Sequence, residues 1–140
     1  MSIYVVDTSV AAKWFLEEAD TAAARRLLNE QDRLHAPDFF LIEFDRVVSK
    51  RVQRNEITVS EGHTIRLTLR RFPVKTHPFQ PLLDLAYEIA VGNRQSLYDC
   101  LYVALAASLE APMVTADRRL LKRLGGSALA KHLVWVGDIP

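Results

Sequence analysis

Short, unbroken apolar runs rich in β-branched residues recur along this chain, at residues 3–6, 113–115 and 133–136. Runs this brief cannot fill a helix, and the lack of polar alternation marks strands covered on both faces, as in a parallel sheet. Residues 34–36 and 74–76 are shorter candidates, each beside a proline. Between the runs lie segments with helical period or helix-forming composition: 10–16, 21–29, 37–54, 59–72, 81–91, 97–109 and 118–124. Thr58 and Glu61 have capping-box spacing, Pro37 fits a first helical turn, and Gly92-Asn93 and Gly125-Gly126 fit helix ends. Strands alternating with helices predict βαβ units with right-handed crossovers. The expected fold class is therefore α/β, a three-layer sandwich with a central, mostly parallel sheet flanked by helices.

The 140 residues suit a single domain over 1–140, with no repeat, low-complexity tract or interdomain linker. A chain that is 49% hydrophobic and 25% charged is too apolar for intrinsic disorder, and no stretch is long enough to span a bilayer. Met1-Ser2 leads straight into the first apolar run without a basic leader, which sets the cytoplasm as the expected location. The single cysteine, Cys100, sits among Leu101, Tyr102 and Val103, where a buried, inert thiol is expected rather than a nucleophile. A net charge of +1 gives no global signal for nucleic acid. Basic groups do cluster locally, as Lys50, Arg51 and Arg54; as Arg66, Arg70 and Arg71; and as Arg118, Arg119, Lys122 and Arg123. They are either solvated helix faces or phosphate contacts.

Acidic residues stand where a charge is unwelcome. In open parallel sheets ligands bind beyond the carboxyl ends of the strands, and there the chain places Asp7, directly after residues 3–6, and Asp117, just after 113–115. Each is a helix N-cap or a ligand. Asp99 interrupts a helix that is apolar nearly all round, three residues after Ser96, so it is either half of a capping box or a ligand. Glu43 lies at the margin of a stripe containing Phe39, Phe40, Phe44, Val47 and Val48, as a snorkelling border residue or a fourth ligand. Gathered in one cleft, such carboxylates repel by about 4 kcal/mol per pair at ~4 Å and an effective dielectric of ~20, a strain that a divalent cation removes. Oxygen ligands select a hard ion, Mg²⁺ or Mn²⁺, which can activate water for attack on a phosphodiester. Thr115 and Ser9 are positioned to hydrogen-bond the carboxylates. His35, His63, His77 and His132 show no zinc spacing and are expected at the surface or in packing. Trp14, Phe72 and Trp135 are core residues or interface anchors.

Four segments carry a family likeness over nearly the whole chain: Val5-Val6-Asp7-Thr8-Ser9, residues 37–43, the stretch Leu97-Tyr98-Asp99-Cys100-Leu101-Tyr102-Val103-Ala104-Leu105-Ala106, and Val114-Thr115-Ala116-Asp117-Arg118-Arg119-Leu120-Leu121. The chain resembles the PIN-domain ribonucleases, specifically the VapC-type toxins of toxin–antitoxin pairs. That resemblance implies a parallel five-stranded sheet and a metal-binding quartet of Asp7, Glu43, Asp99 and Asp117, with Thr115 beside it. It also implies Mg²⁺- or Mn²⁺-dependent endoribonuclease activity on RNA, a homodimer, and a cognate antitoxin. The antitoxin's C-terminal segment would lie over the active-site groove and its N-terminal part would bind operator DNA. Arg46 stands three residues after Glu43 where such toxins often carry asparagine, and Cys100 replaces a usual alanine. Two other readings compete. A phosphoryl-switch receiver would need paired acids at the first strand's end and a lysine after a late strand; here Asp7 precedes Thr8-Ser9, and Val136 precedes Gly137-Asp138. A PIN-like binding module without turnover, acting through a protein or nucleic-acid partner, would keep the fold and not the chemistry.

Overall fold

A computed structural model describes residues 2–140. Five strands, β1 (Ile3–Val6), β2 (Arg33–Pro37), β3 (Val74–His77), β4 (Met113–Thr115) and β5 (Leu133–Trp135), form one sheet in the order β3-β2-β1-β4-β5. Every pairing is parallel. Val5, Val6, Met113 and Val114 are fully buried, as expected of strands covered on both faces.

Among the described residues seven α-helices connect and cover the sheet: α1 (Thr8–Ala12), α2 (Thr21–Arg25), α3 (Phe40–Gln53), α4 (Val59–Leu69), α5 (Leu83–Asn93), α6 (Leu97–Leu109) and α7 (Arg118–Leu124). The chain steps outward from β1 to β2 and β3, then crosses back to β4 and on to β5. Right-handed crossovers therefore send α1 to α4 to one face and α5 to α7 to the other. The packing agrees, since α3 lies against α1 and α4, while α6 lies against α5, β1 and β2. Strand order reverses between β1 and β4, and the crevice at their carboxyl ends is where open parallel sheets bind ligands. Residues Cys100 to Ala106 of α6 are all buried, which explains a helix without a polar face.

Some element boundaries differ from the sequence reading for local reasons. Pro37 closes β2 and does not open a helix; α3 begins only at Phe40, after Asp38 N–H has bonded the His77 carbonyl at 2.8 Å. Helix α2 stops at Arg25 because the next amides take tighter bonds three residues back and Asn29 Oδ1 captures the amides of Gln31 and Asp32. Helix α1 is likewise shortened, with Trp14 and Phe15 bonding to Ala11 and Ala12. Trp14 and Phe72 belong to the core, their rings 5.5 Å apart. His35 and His77 pack side by side on β2 and β3, with Nδ1 and Nε2 2.8 Å apart.

At the start of α4 the capping box is complete: Thr58 Oγ1 accepts from Glu61 N–H at 3.0 Å and Glu61 Oε1 accepts from Thr58 N–H at 2.9 Å. Thr58→Ala is expected to lower unfolding stability by about 1 kcal/mol, seen as an earlier urea midpoint at unchanged slope. A midpoint equal to the parent's would show that the box contributes nothing here.

Candidate active site

Asp7 leaves β1 at the strand-order reversal and caps α1. Its Oδ1 accepts from Ser9 Oγ at 2.5 Å and from Val10 N–H at 3.1 Å, and its Oδ2 accepts from Thr115 Oγ1 at 3.0 Å. Thr115 is fully buried at the end of β4 and in turn accepts from Asp117 N–H at 3.0 Å. Asp117 caps α7 through Oδ1, which accepts from the amides of Arg119 and Leu120. Both aspartates are therefore caps, and capping fixes their direction without using every oxygen. No described residue donates to Asp117 Oδ2.

Asp99 enters from α6. Ser96 Oγ alone caps that helix, accepting from Tyr98 and Asp99 amides, while the Asp99 carboxylate makes no hydrogen bond with any described residue. Glu43 enters from α3, where its Oε1 accepts from Tyr102 Oη at 2.7 Å. Tyr102 lies one turn beyond Asp99 on α6 and is wedged edge-on against Phe39, with centroids 5.5 Å apart. The hydroxyl thus fixes Glu43 to the helix that carries Asp99.

Charge links the four acids. Burial pushes the Asp7 carboxyl up to about 6, against partial relief from Ser9, Val10 and Thr115 and with a further push from Asp117. Burial likewise pushes Asp99 up to about 6, helped by the negative charges of Asp7 and Asp117. Glu43 is raised first by burial and then by Asp99, while the Tyr102 hydrogen bond and Arg46 act the other way. Asp7, Asp99 and Asp117 have no cationic side chain paired with them among the described residues. Oxygen donors with uncompensated charge fit a hard divalent ion. Among the described residues, no three acids, histidines or cysteines form a group that could by itself hold a metal ion.

Tyr102 was not singled out in the sequence as a site residue, although its spacing from Asp99 put a hydroxyl on the same side of an otherwise apolar helix. Cys100 is buried with its thiol pushed up to about 11 by burial and by Asp99, which removes it as a nucleophile. Several basic residues are committed elsewhere. Arg66 and Arg70 both pair with Asp45 at 2.7 Å, joining α4 to α3, and Arg51 pairs with Glu18 and Glu56. Arg118 and Arg119 remain exposed beside Asp117.

The PIN domain family model matches residues 4–126, a span that contains all four acids. Ribonuclease VapC12 of Mycobacterium tuberculosis is 34% identical over 125 residues, covering 89% of this chain and 94% of that protein. Among solved structures, VapBC2 from Rickettsia felis, bound to a DNA fragment from their promoter, aligns with a TM-score of 0.67 and 16% identity over 95% of this chain and 98% of that one. Mycobacterium tuberculosis VapC20, a Sarcin-Ricin loop cleaving toxin, aligns with a TM-score of 0.63 and 18% identity over 83% and 88%. At those identities the structures speak for the fold, and the sequence matches speak for descent. The chain belongs to the PIN-domain family, where its relatives are the VapC ribonucleases.

Proposed function

We propose that this chain is a divalent-metal-dependent endoribonuclease and the toxin of a VapBC-type pair. The observation that carries it is the meeting of Asp7, Asp99 and Asp117 at the strand-order reversal, with Glu43 tied in by Tyr102 and no basic side chain to neutralise the three aspartates. Sequence kinship to proteins named VapC ribonucleases supplies the reaction class. Asp7, Glu43, Asp99 and Asp117 would hold Mg²⁺ or Mn²⁺, which supplies Lewis acidity toward the phosphodiester and lowers the pKa of an attacking water. Ser9, the Val10 amide and Thr115 lock the Asp7 carboxylate, so its oxygens need not reorganise as charge develops. The Asp99 carboxylate, which no described residue engages in a hydrogen bond, keeps its oxygens free for the ion or for a water on it.

A cognate antitoxin belongs to the same reading, and a toxin-antitoxin complex from Klebsiella pneumoniae shares the fold with a TM-score of 0.61 at 13% identity. Tyr87 and Val91, one turn apart on α5 and each more than half exposed, would offer a homodimer an apolar strip. No described helix is long and apolar enough to cross a membrane.

Expressed alone, the chain should stop growth and cut defined RNA, and purified protein should lose cleavage in EDTA and regain it with Mg²⁺ or Mn²⁺. Growth with intact RNA would leave a binding module working through a partner. Asp7→Asn is expected to reduce cleavage by ~100-fold or more, beyond the roughly 10–100-fold typical of residues that only support a ligand. Wild-type rates in that variant would remove Asp7 from the site.

Stability of the metal-free protein should follow the raised carboxyls. Asp7 and Asp99 titrate at about 6 when folded against 3.8 as free side chains, so between those values the folded chain holds more protons than the unfolded one. Stability in EDTA therefore falls as pH rises through that window and stays low above it. Thermal melts should show a lower midpoint at neutral pH than at pH ~5, a smaller drop in Asp7→Asn, and recovery by Mg²⁺ at neutral pH. A midpoint that climbs with pH would contradict this account.

A further inference from the structure

Beside the acids, the chain builds a feature that holding a metal does not require. Trp135 ends β5 in register with Thr115 of β4, so the two side chains leave the same face of the sheet from strands ~4.8 Å apart. The Arg118 guanidinium carbon lies 4.0 Å over the indole centroid. Arg118 has no carboxylate in ion-pair reach among the described residues, so its charge is not already taken up. Gly137 passes the ring's edge so closely that a Cβ there would stand 2.6 Å from Trp135 Nε1. A larger residue at 137 would push the indole out of its seat. These groups open onto a cleft of about 730 Å³ that reaches Ser9 and Asp117 and carries Lys13 and Arg119 on its wall. Lys13 Nζ is held by the Ala19 carbonyl at 2.6 Å, with Glu18 at 3.5 Å, and keeps a donor free.

We propose that this cleft is a subsite for an unpaired nucleotide next to the scissile phosphodiester, with its base stacked against the Trp135–Arg118 pair and its phosphate met by Arg119 and Lys13. The inference rests on the nuclease reading for its ligand. Stacking on an indole or a guanidinium plane accepts any base but needs an exposed base face, which a duplex hides. Such a subsite would hold the RNA where the base beside the reactive phosphate is splayed out of the stack. Lys13 ends α1 and Arg119 lies on α7, so the two charges reach the same cleft from different elements.

The test uses the full-length Asp7→Asn protein in EDTA and a short fluorescein-labelled, mixed-sequence oligoribonucleotide. Single-stranded RNA should quench tryptophan emission, which the buried Trp14 cannot report, whereas the same sequence as a duplex should not. Adding Trp135→Leu should weaken binding by roughly 5- to 100-fold, the range of one lost base–aromatic stack, and Trp135→Phe should restore most of it. Unchanged affinity in Trp135→Leu would overturn the subsite. If that variant loses its thermal midpoint, Arg118→Gln at the exposed start of α7 decides instead: weaker binding supports the stack and equal binding refutes it. Cleavage by the unsubstituted chain is read separately. Normal cleavage with Trp135-independent binding sinks only the subsite, and no cleavage with Mg²⁺ or Mn²⁺ sinks the nuclease reading while the quench still reports on the cleft.

Discussion

An ionisable carboxylate held out of water at the end of the central strand sets the conditions for everything around it. Asp7 accepts hydrogen bonds from two hydroxyls and one amide, all neutral, and these only partly offset its desolvation. The nearby negative charges of Asp99 and Asp117 oppose its ionisation or are opposed by it. A folded chain with this arrangement is under electrostatic load near neutral pH, and two responses remain: take up a proton or take up a cation. The first relieves the load at mildly acidic pH, and the second would relieve it at neutral pH.

Topology explains why the acids meet at all. Each of Asp7 and Asp117 follows a strand, β1 or β4, and those strands are neighbours although more than a hundred residues separate them. Their connections run to opposite faces, leaving a crevice at the carboxyl ends that no crossover fills. Helix capping then does a second job there. An aspartate at an N-cap has one oxygen turned back to the helix amides, which restricts the other to a narrow range of directions. In Asp7 that other oxygen meets Thr115, and the hydroxyl passes the constraint to the Asp117 amide. Cap and ligand are compatible roles for one side chain.

Basic residues divide by what surrounds them. Arg66 and Arg70 converge on Asp45 and tie two helices on one face of the sheet, so their charge is largely answered within the protein. Asp45 is held below the usual carboxylate range by those guanidinium groups, despite partial burial. Arg118 lies on an indole and Arg119 projects beside Asp117, both exposed. Uncommitted positive charge near Asp117 thus comes mainly from the start of α7.

The features fixed by a few consecutive residues were legible in the sequence. Three apolar runs and two shorter candidates beside prolines became five parallel strands, the Thr58 to Glu61 spacing became a capping box, and Asp7 and Asp117 emerged at strand ends, because strand burial, helix period and capping act over one or two turns of chain. Where helices stop was less legible: Asn29 ends α2, and a bond from Asp38 to the far strand delays α3, so a competing side chain or a tertiary partner overrode propensity. The choice between cap and ligand at Asp99 was not local either, since only the folded helix shows Ser96 capping alone. Glu43 and Tyr102 are 59 residues apart, and Trp135 reaches Thr115 through β5 pairing. The sequence by itself determined which side chains carry charge and which stretches must be buried; the tertiary structure alone decided which of them share a crevice, because that depends on strand order, and strand order is set by how the whole chain packs.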